Sequence, residues 1–195
     1  LLDIHNYKAL RYRSIRYDLL VLSILEQLAY TYRVRTDRFY LHGFSGGGQF
    51  VHRFLYAHAP RLLGVSVGAP GQVTLPDDAL PWPHGVRDIA DVLGAPIDWE
   101  ALRAVPVHFV IGEKDTAPLP GARGGEQEPE EARTGRTRQD KIRALRDALK
   151  AKGVVGRLVR VPGVGHAGLK CLEPVHEFLG ALIEEAQAGG AGTGA

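Results

Sequence analysis

Apolar residues in this chain fall into short runs of strand length, separated by longer stretches of helical period. Four runs read as buried strands: Phe39–Gly43, Leu62–Gly68, Val105–Gly112 and Gly156–Pro162. Asp18 to Tyr30 reads as a helix. Its Leu19, Leu22 (or Ser23), Leu25 or Glu26, and Ala29 leave a mostly apolar surface with one polar edge, suited to packing on a sheet. Phe50, Val51, Phe54, Leu55 and His58 recur at helical spacing over Gly46–His58, and Pro60 ends that run. Ile142, Leu145 and Leu149 form the stripe of a helix over Arg138–Lys152. Val175, Phe178, Leu179, Leu182, Ile183 and Ala186 form the stripe of a last helix, from about Glu173 to Ala188. Strands alternating with helices predict an α/β fold with a mainly parallel sheet and right-handed crossovers.

Two inserts interrupt the alternation. Residues 69–104 are rich in Pro, Asp and Trp, and carry Trp82 and Trp99. Residues 116–137 are rich in Pro and Gly, and Glu126, Glu128, Glu130, Glu131, Arg133, Arg136 and Arg138 lie close together, which predicts a mobile, solvated loop. The tail 189–195 has nothing to bury and is expected to be disordered. The reading is one domain over residues 1–188.

Composition narrows the picture. Of 195 residues, 45% are hydrophobic, enough for a single domain with a core. The 24 basic and 22 acidic residues give a net charge of +2, so there is no electrostatic case for nucleic acid as a partner. Cys171 is the one cysteine, which rules out an intramolecular disulfide and fits a reducing compartment; a cytoplasmic location is expected. No stretch is long and apolar enough to cross a membrane, and no secretory signal is visible. The chain starts at Leu1 and contains no Met. N-terminal processing is one explanation; the preferred expectation is a fragment of something longer. Nothing in the sequence indicates an oligomeric state.

The chemistry starts at Gly43-Phe44-Ser45-Gly46-Gly47, a Gly-x-Ser-x-Gly run between a predicted strand and a predicted helix. That is the setting of a nucleophile elbow. The turn is so tight that the neighbours of the serine are expected to be glycine for lack of room. Ser45 would sit in strained backbone with its hydroxyl exposed. The Gly46 N–H and the positive end of the helix dipole would lie close to an oxyanion formed there. The plain alternative is a glycine-rich turn with a capping serine.

A serine hydroxyl needs a base to take its proton and a carboxylate to orient that base. With this elbow the expected order is Ser, then Asp or Glu, then His. Strand three ends in Ile111-Gly112-Glu113-Lys114-Asp115, at the sheet edge where α/β proteins build their sites. Asp115 is the chosen acid and Glu113 its competitor. Strand four ends in Val161-Pro162-Gly163-Val164-Gly165-His166, which places His166 on a glycine-rich loop. His42 and His108 lie within strands and read as core. No pair of histidines has metal-ligand spacing, so a metal is not expected, and chemistry by a serine, an acid and a histidine needs no cofactor.

These three segments together resemble the α/β-hydrolase superfamily. The local look is similar to serine esterases related to polyhydroxyalkanoate depolymerases and dienelactone hydrolases, over about residues 17–186. The resemblance implies hydrolysis of a carboxylic ester of a small molecule, or of a thioester or amide. Ser45 would be the nucleophile, His166 the base, Asp115 its orienting acid and Gly46 an oxyanion donor. Phe44, Trp82 and Trp99 are candidates for contacting substrate, the insert 69–104 forming a small cap. A serine peptidase is the alternative among enzymes; a non-enzymatic hydrolase-like fragment or binding module is the alternative outside them. The sequence departs from the family pattern in one respect: only 44 residues precede Ser45, and no His-Gly-type oxyanion loop is among them. The strand before Ser45 should therefore expose an edge, and a second oxyanion donor is not apparent.

Overall fold

The computed structural model describes residues 6–119 and 129–191. A single 3-10 turn, Asn6–Ala9, leads into a two-residue hairpin, β1 (Arg11–Tyr12) and β2 (Ile15–Arg16). Helix α1 (Tyr17–Tyr32), strand β3 (Phe39–Phe44), helix α2 (Gly46–His58) and strand β4 (Leu62–Gly68) follow. The first insert carries two short helices, α3 (Ile89–Leu93) and α4 (Trp99–Ala104), before strand β5 (Val107–Gly112). The second insert carries α5 (Pro129–Thr134) and leads to α6 (Arg138–Ala151). Strand β6 (Gly156–Val161) and helix α7 (Leu172–Ala191) complete the chain.

The main sheet has the order β3-β4-β5-β6, and every pair in it is parallel. Parallel neighbours need crossovers, and the helices and inserts between the strands supply them. Strand faces alternate, so β5 sends Phe109 and Ile111 to one layer and His108 and Val110 to the other. The first layer holds α2 and α6: Phe54, Leu55, Ile142, Leu145 and Leu149 are buried there in one cluster with Phe109 and Ile111. The second layer is α7, whose Val175 packs with Val110 and Cys171, and whose Phe178 stacks on His108 at 5.0 Å.

Helix α2 is the pivot. Residues 48–56 are all buried, because the sheet covers one side and the Asn6–Ala9 turn and the first insert cover the other. Arg53 is buried as well, and its donors clamp these pieces together: Nε to Thr74 Oγ1 at 2.8 Å and Nη1 to the Lys8 carbonyl at 2.7 Å. His52 is the other polar pin. Its Nδ1 donates to the Gly48 carbonyl at 2.8 Å and its Nε2 accepts from Thr74 N at 3.0 Å. Asp18, at the start of α1, is buried between Arg16 and His58, the latter at 2.7 Å. Burial pushes the Asp18 carboxyl up, but hydrogen bonds from His58 and Arg16 outweigh it and hold the group at about 2.

Several expectations need correction. Helix α1 does not bury a full apolar face: Leu19, Leu20, Ile24 and Leu28 are exposed. The reason is the position of β3, an edge strand. Among the described residues no strand pairs along its free side, so α1 has no further sheet to cover. That edge is the one foreseen for the strand before Ser45. Strand β5 starts two residues later than the apolar run, because Val105 closes α4 and Pro106 has no N–H for the ladder. The second insert contains α5 and a bridge between Pro118 and Thr137, while residues 120–128 lie outside the described residues. Helix α7 continues through Gly189 to Ala191, into the segment expected to be disordered; residues 192–195 lie outside the description. Among the described residues no helix is long and apolar enough to cross a membrane.

Candidate active site

Ser45 occupies the turn from β3 into α2 with φ 57° and ψ −112°, a left-handed conformation costly for any residue with a Cβ. Its N–H donates to the Gly68 carbonyl at 2.8 Å, tying the turn to the end of β4. The glycines around it are not equivalent. A Cβ on Gly43 would lie 2.5 Å from the backbone of Gly47, and one on Gly48 would run into the Gly68 carbonyl. A Cβ on Gly47 would meet nothing within 4 Å. Lack of room therefore explains Gly43 and Gly48, but not the last glycine of the motif.

Asp115 follows β5 in a turn closed by its own N–H to the Gly112 carbonyl at 3.1 Å. Only 3% of the residue is exposed. The loop after β6 is fixed to the same turn, because Lys114 N donates to the Val164 carbonyl at 2.7 Å. The loop carries His166 to the sheet edge. His166 Nδ1 lies 2.7 Å from Asp115 Oδ2, and His166 Nε2 lies 3.0 Å from Ser45 Oγ. An ionised carboxylate only accepts, so Nδ1 carries the proton and Nε2 is left to accept from the serine hydroxyl. Glu113 is elsewhere: it is exposed, and its Oε2 accepts from Gly163 N at 3.1 Å. The arrangement can generate a serine nucleophile and stabilise the imidazolium that results.

The remaining predicted residues divide. Phe44 packs on the His166 ring, with centroids 5.0 Å apart, and so supports the histidine. Gly46 opens α2 beside Ser45, with the Tyr7 hydroxyl and the Lys8 side chain against its Cα. The two tryptophans are not at the cleft. Trp82 donates from Nε1 to the Ala9 carbonyl at 3.1 Å and packs on the core. Trp99 packs on Tyr56 and lies under Lys152. Tryptophan's large apolar body packs here on residues outside the insert, and Gly71, Gln72 and Pro83 are what the insert presents to the cleft.

That cleft, about 550 Å³, opens at Ser45 between Lys8 and Ala9 on one side and Gly71, Gln72 and Pro83 on the other. Gln49, Arg53 and Arg138 also line it. Reasoning from sequence missed Gln49 and Arg138. Gln49 had a signal, lying one helical turn beyond Ser45 in α2. Arg138 had none, because a long insert separates it from Asp115. Arg138 Nη1 lies 3.5 Å from Asp115 Oδ1, the carboxylate oxygen that His166 does not use. Cys171 is buried behind the acid; burial and the nearby Asp115 charge both push its thiol up, so it stays protonated. Among the described residues no cluster of His, Cys, Asp and Glu could hold a metal ion.

A mainly parallel sheet with a serine elbow, and an acid and a histidine at the ends of later strands, defines a class. The chain has the fold of the α/β-hydrolase superfamily, which its solved structural neighbours share. It is similar to the poly(3-hydroxybutyrate) depolymerase LpqC from Bordetella parapertussis: 29% identity, TM-score 0.63, covering 84% of this chain and 58% of that one. Its fold is also that of poly(aspartic acid) hydrolase-1 from Sphingomonas sp. KT-1 (21% identity, TM-score 0.68, 86% and 64% covered). An S-formylglutathione hydrolase from Agrobacterium tumefaciens shares the fold as well (16% identity, TM-score 0.53, 87% and 57% covered). The chain thus spans less than two thirds of the length of these relatives. No family model and no curated protein matches the sequence.

Proposed function

We propose that this chain is a serine hydrolase that cleaves carboxylic esters through an acyl-enzyme on Ser45. The observation that carries the reading is the continuous hydrogen-bonded series Asp115–His166–Ser45, at 2.7 and 3.0 Å, ending on a serine in left-handed backbone at a cleft. In this reading Ser45 Oγ attacks the carbonyl carbon while His166 Nε2 takes its proton. The Gly46 N–H, at the positive end of α2, stabilises the tetrahedral oxyanion. The same histidine then protonates the leaving alcohol. Water, deprotonated by His166, attacks the acyl-enzyme, and the acid is released as Ser45 regains its proton. Asp115 holds the ring tautomer and balances its positive charge. Phe44 keeps the ring plane in place by packing.

Similarity to a poly(3-hydroxybutyrate) depolymerase supports an ester over an amide as the bond cleaved. Against a binding module without activity stands the backbone at Ser45, where φ 57° costs about 1–3 kcal/mol and aligns the hydroxyl with His166. The test is labelling of the chain with a fluorophosphonate probe, alongside Ser45→Ala and His166→Ala. Labelling that both substitutions abolish is the expected result. A folded wild-type chain that neither labels nor hydrolyses 4-nitrophenyl butyrate would refute the proposal.

A further inference from the structure

Among the described residues, the charged side chains that line the Ser45 cleft, Lys8, Arg53 and Arg138, are all basic. Two polar groups at its inner end are unspent. Arg138 Nε is buried and has no hydrogen-bond partner among the described residues, although Nη1 pairs with Asp115. Gln49 is 6% exposed, lines the same cleft, and makes no side-chain hydrogen bond among the described residues. Both converge on Gly71: a Cβ there would lie 3.2 Å from Gln49 Nε2 and 3.9 Å from Arg138 Nε. Leaving a buried donor unsatisfied is costly, and native structures keep few such groups without a use. Their surroundings also select the ligand. An amide N–H and a guanidinium N–H offer donors only, and Lys8 and Arg53 add positive charge without an acceptor. A ligand acceptor bearing negative charge would satisfy both donors and suit the basic lining.

We infer that Gln49 Nε2 and Arg138 Nε form a subsite for a substrate carboxylate, so that the ester cleaved at Ser45 is one carrying a second, ionised acid group. The inference rests on the ester-hydrolase reading and names its substrate class. Gly71 is the floor of the subsite; any side chain there would fill the space the carboxylate needs. Arg138 keeps both functions, with Nη1 towards Asp115 and Nε towards the ligand. Gln49, one turn from Ser45, sets the distance between the carboxylate and the scissile bond.

Two pairs of esters test this, each pair differing only in charge. In one pair the carboxylate is on the acyl side: 4-nitrophenyl hemiglutarate against its primary amide. In the other it is on the alcohol side: 4-(butanoyloxy)benzoate against its primary amide. Wild type is expected to prefer the charged member of one pair by roughly 10- to 100-fold in kcat/KM, the size of a charge-assisted hydrogen bond. Gln49→Leu, Arg138→Gln and Gly71→Val should each reduce that ratio, whatever they do to the neutral ester. The pair that responds identifies the side of the ester. Calorimetry of glutarate binding to Ser45→Ala, repeated with Gln49→Leu added, reads the subsite without turnover. Neutral esters hydrolysed as fast as charged ones, with no glutarate binding, would overturn the subsite and leave the hydrolase standing. Glutarate binding that depends on Gln49, with no ester cleaved, would keep the subsite and overturn the hydrolase.

Discussion

Replacing Asp115 by Asn tests the site at its least forgiving point. The two residues have the same shape, and Asp115 is only 3% exposed, so the backbone has no reason to move. The exchange replaces an acceptor with an amide that must choose its orientation. Arg138 Nη1, 3.5 Å from Oδ1, offers only donors, so it draws the amide oxygen to itself. The amide NH2 then faces His166 Nδ1 across 2.7 Å, and that nitrogen must accept. The ring proton moves to Nε2. There, 3.0 Å from Ser45 Oγ, it presents a hydrogen where the serine needs a lone pair. A wrong tautomer costs a catalytic serine about 10⁴ in kcat, or about 5 kcal/mol in the barrier. The assay is kcat/KM with 4-nitrophenyl butyrate, with a thermal melt of each variant to show that it is folded. Glu113→Gln is the comparison: among the described residues the exposed Glu113 carboxylate accepts only from Gly163 N, and its loss should change the rate by about twofold or less. A folded Asp115→Asn that keeps more than a tenth of the activity would refute the reasoning, as would an equal loss in Glu113→Gln.

Three further outcomes are expected. Gly48→Ala should cost about 1–3 kcal/mol in chemical denaturation, because its Cβ meets the Gly68 carbonyl, whereas Gly47→Ala should be neutral or stabilising by up to about 1 kcal/mol; equal effects would refute the packing account. Stability should fall as the solution is acidified. Burial lowers His52 to about 3 and His108 to about 4, so below their ordinary value of 6.5 the unfolded chain binds protons that the folded one does not, and each group removes about 1.4 kcal/mol per pH unit down to its folded value. Asp18, held at about 2, acts in the same direction below its ordinary value of 3.8, and urea titrations from pH 7 to pH 4 that show no loss would contradict the neutral buried state of the two histidines. Ile24→Glu, on the exposed face of α1, should change stability by no more than about 0.5 kcal/mol while lowering binding of an apolar dye; a large loss of stability would mean that Ile24 is covered.

What the residue order determined by itself is whatever local chemistry dictates. Hydrophobic period alone places α2 at Gly46–His58 and β4 at Leu62–Gly68, and both stand in the structure with those bounds. The elbow was legible because Gly-x-Ser-x-Gly between a strand and a helix admits few backbones. Asp115 and His166 could be nominated because each follows a strand, and in a parallel sheet the strand ends all open on one edge. The residue order favoured Asp115 with Glu113 as its competitor, and the tertiary structure separates the two. Two residues in one turn point in different directions, and only the approach of the β6 loop shows which one meets His166. The tryptophans show the same limit from the other side: an insert's composition identifies bulky residues but not the surface they cover, and Trp82 and Trp99 were drawn to the core and to Tyr56. Arg138 and Gln49 come together only because α6 and α2 lie on one layer of the sheet. No spacing in the chain encodes that meeting, since it depends on which strands pair and on which face each crossover returns.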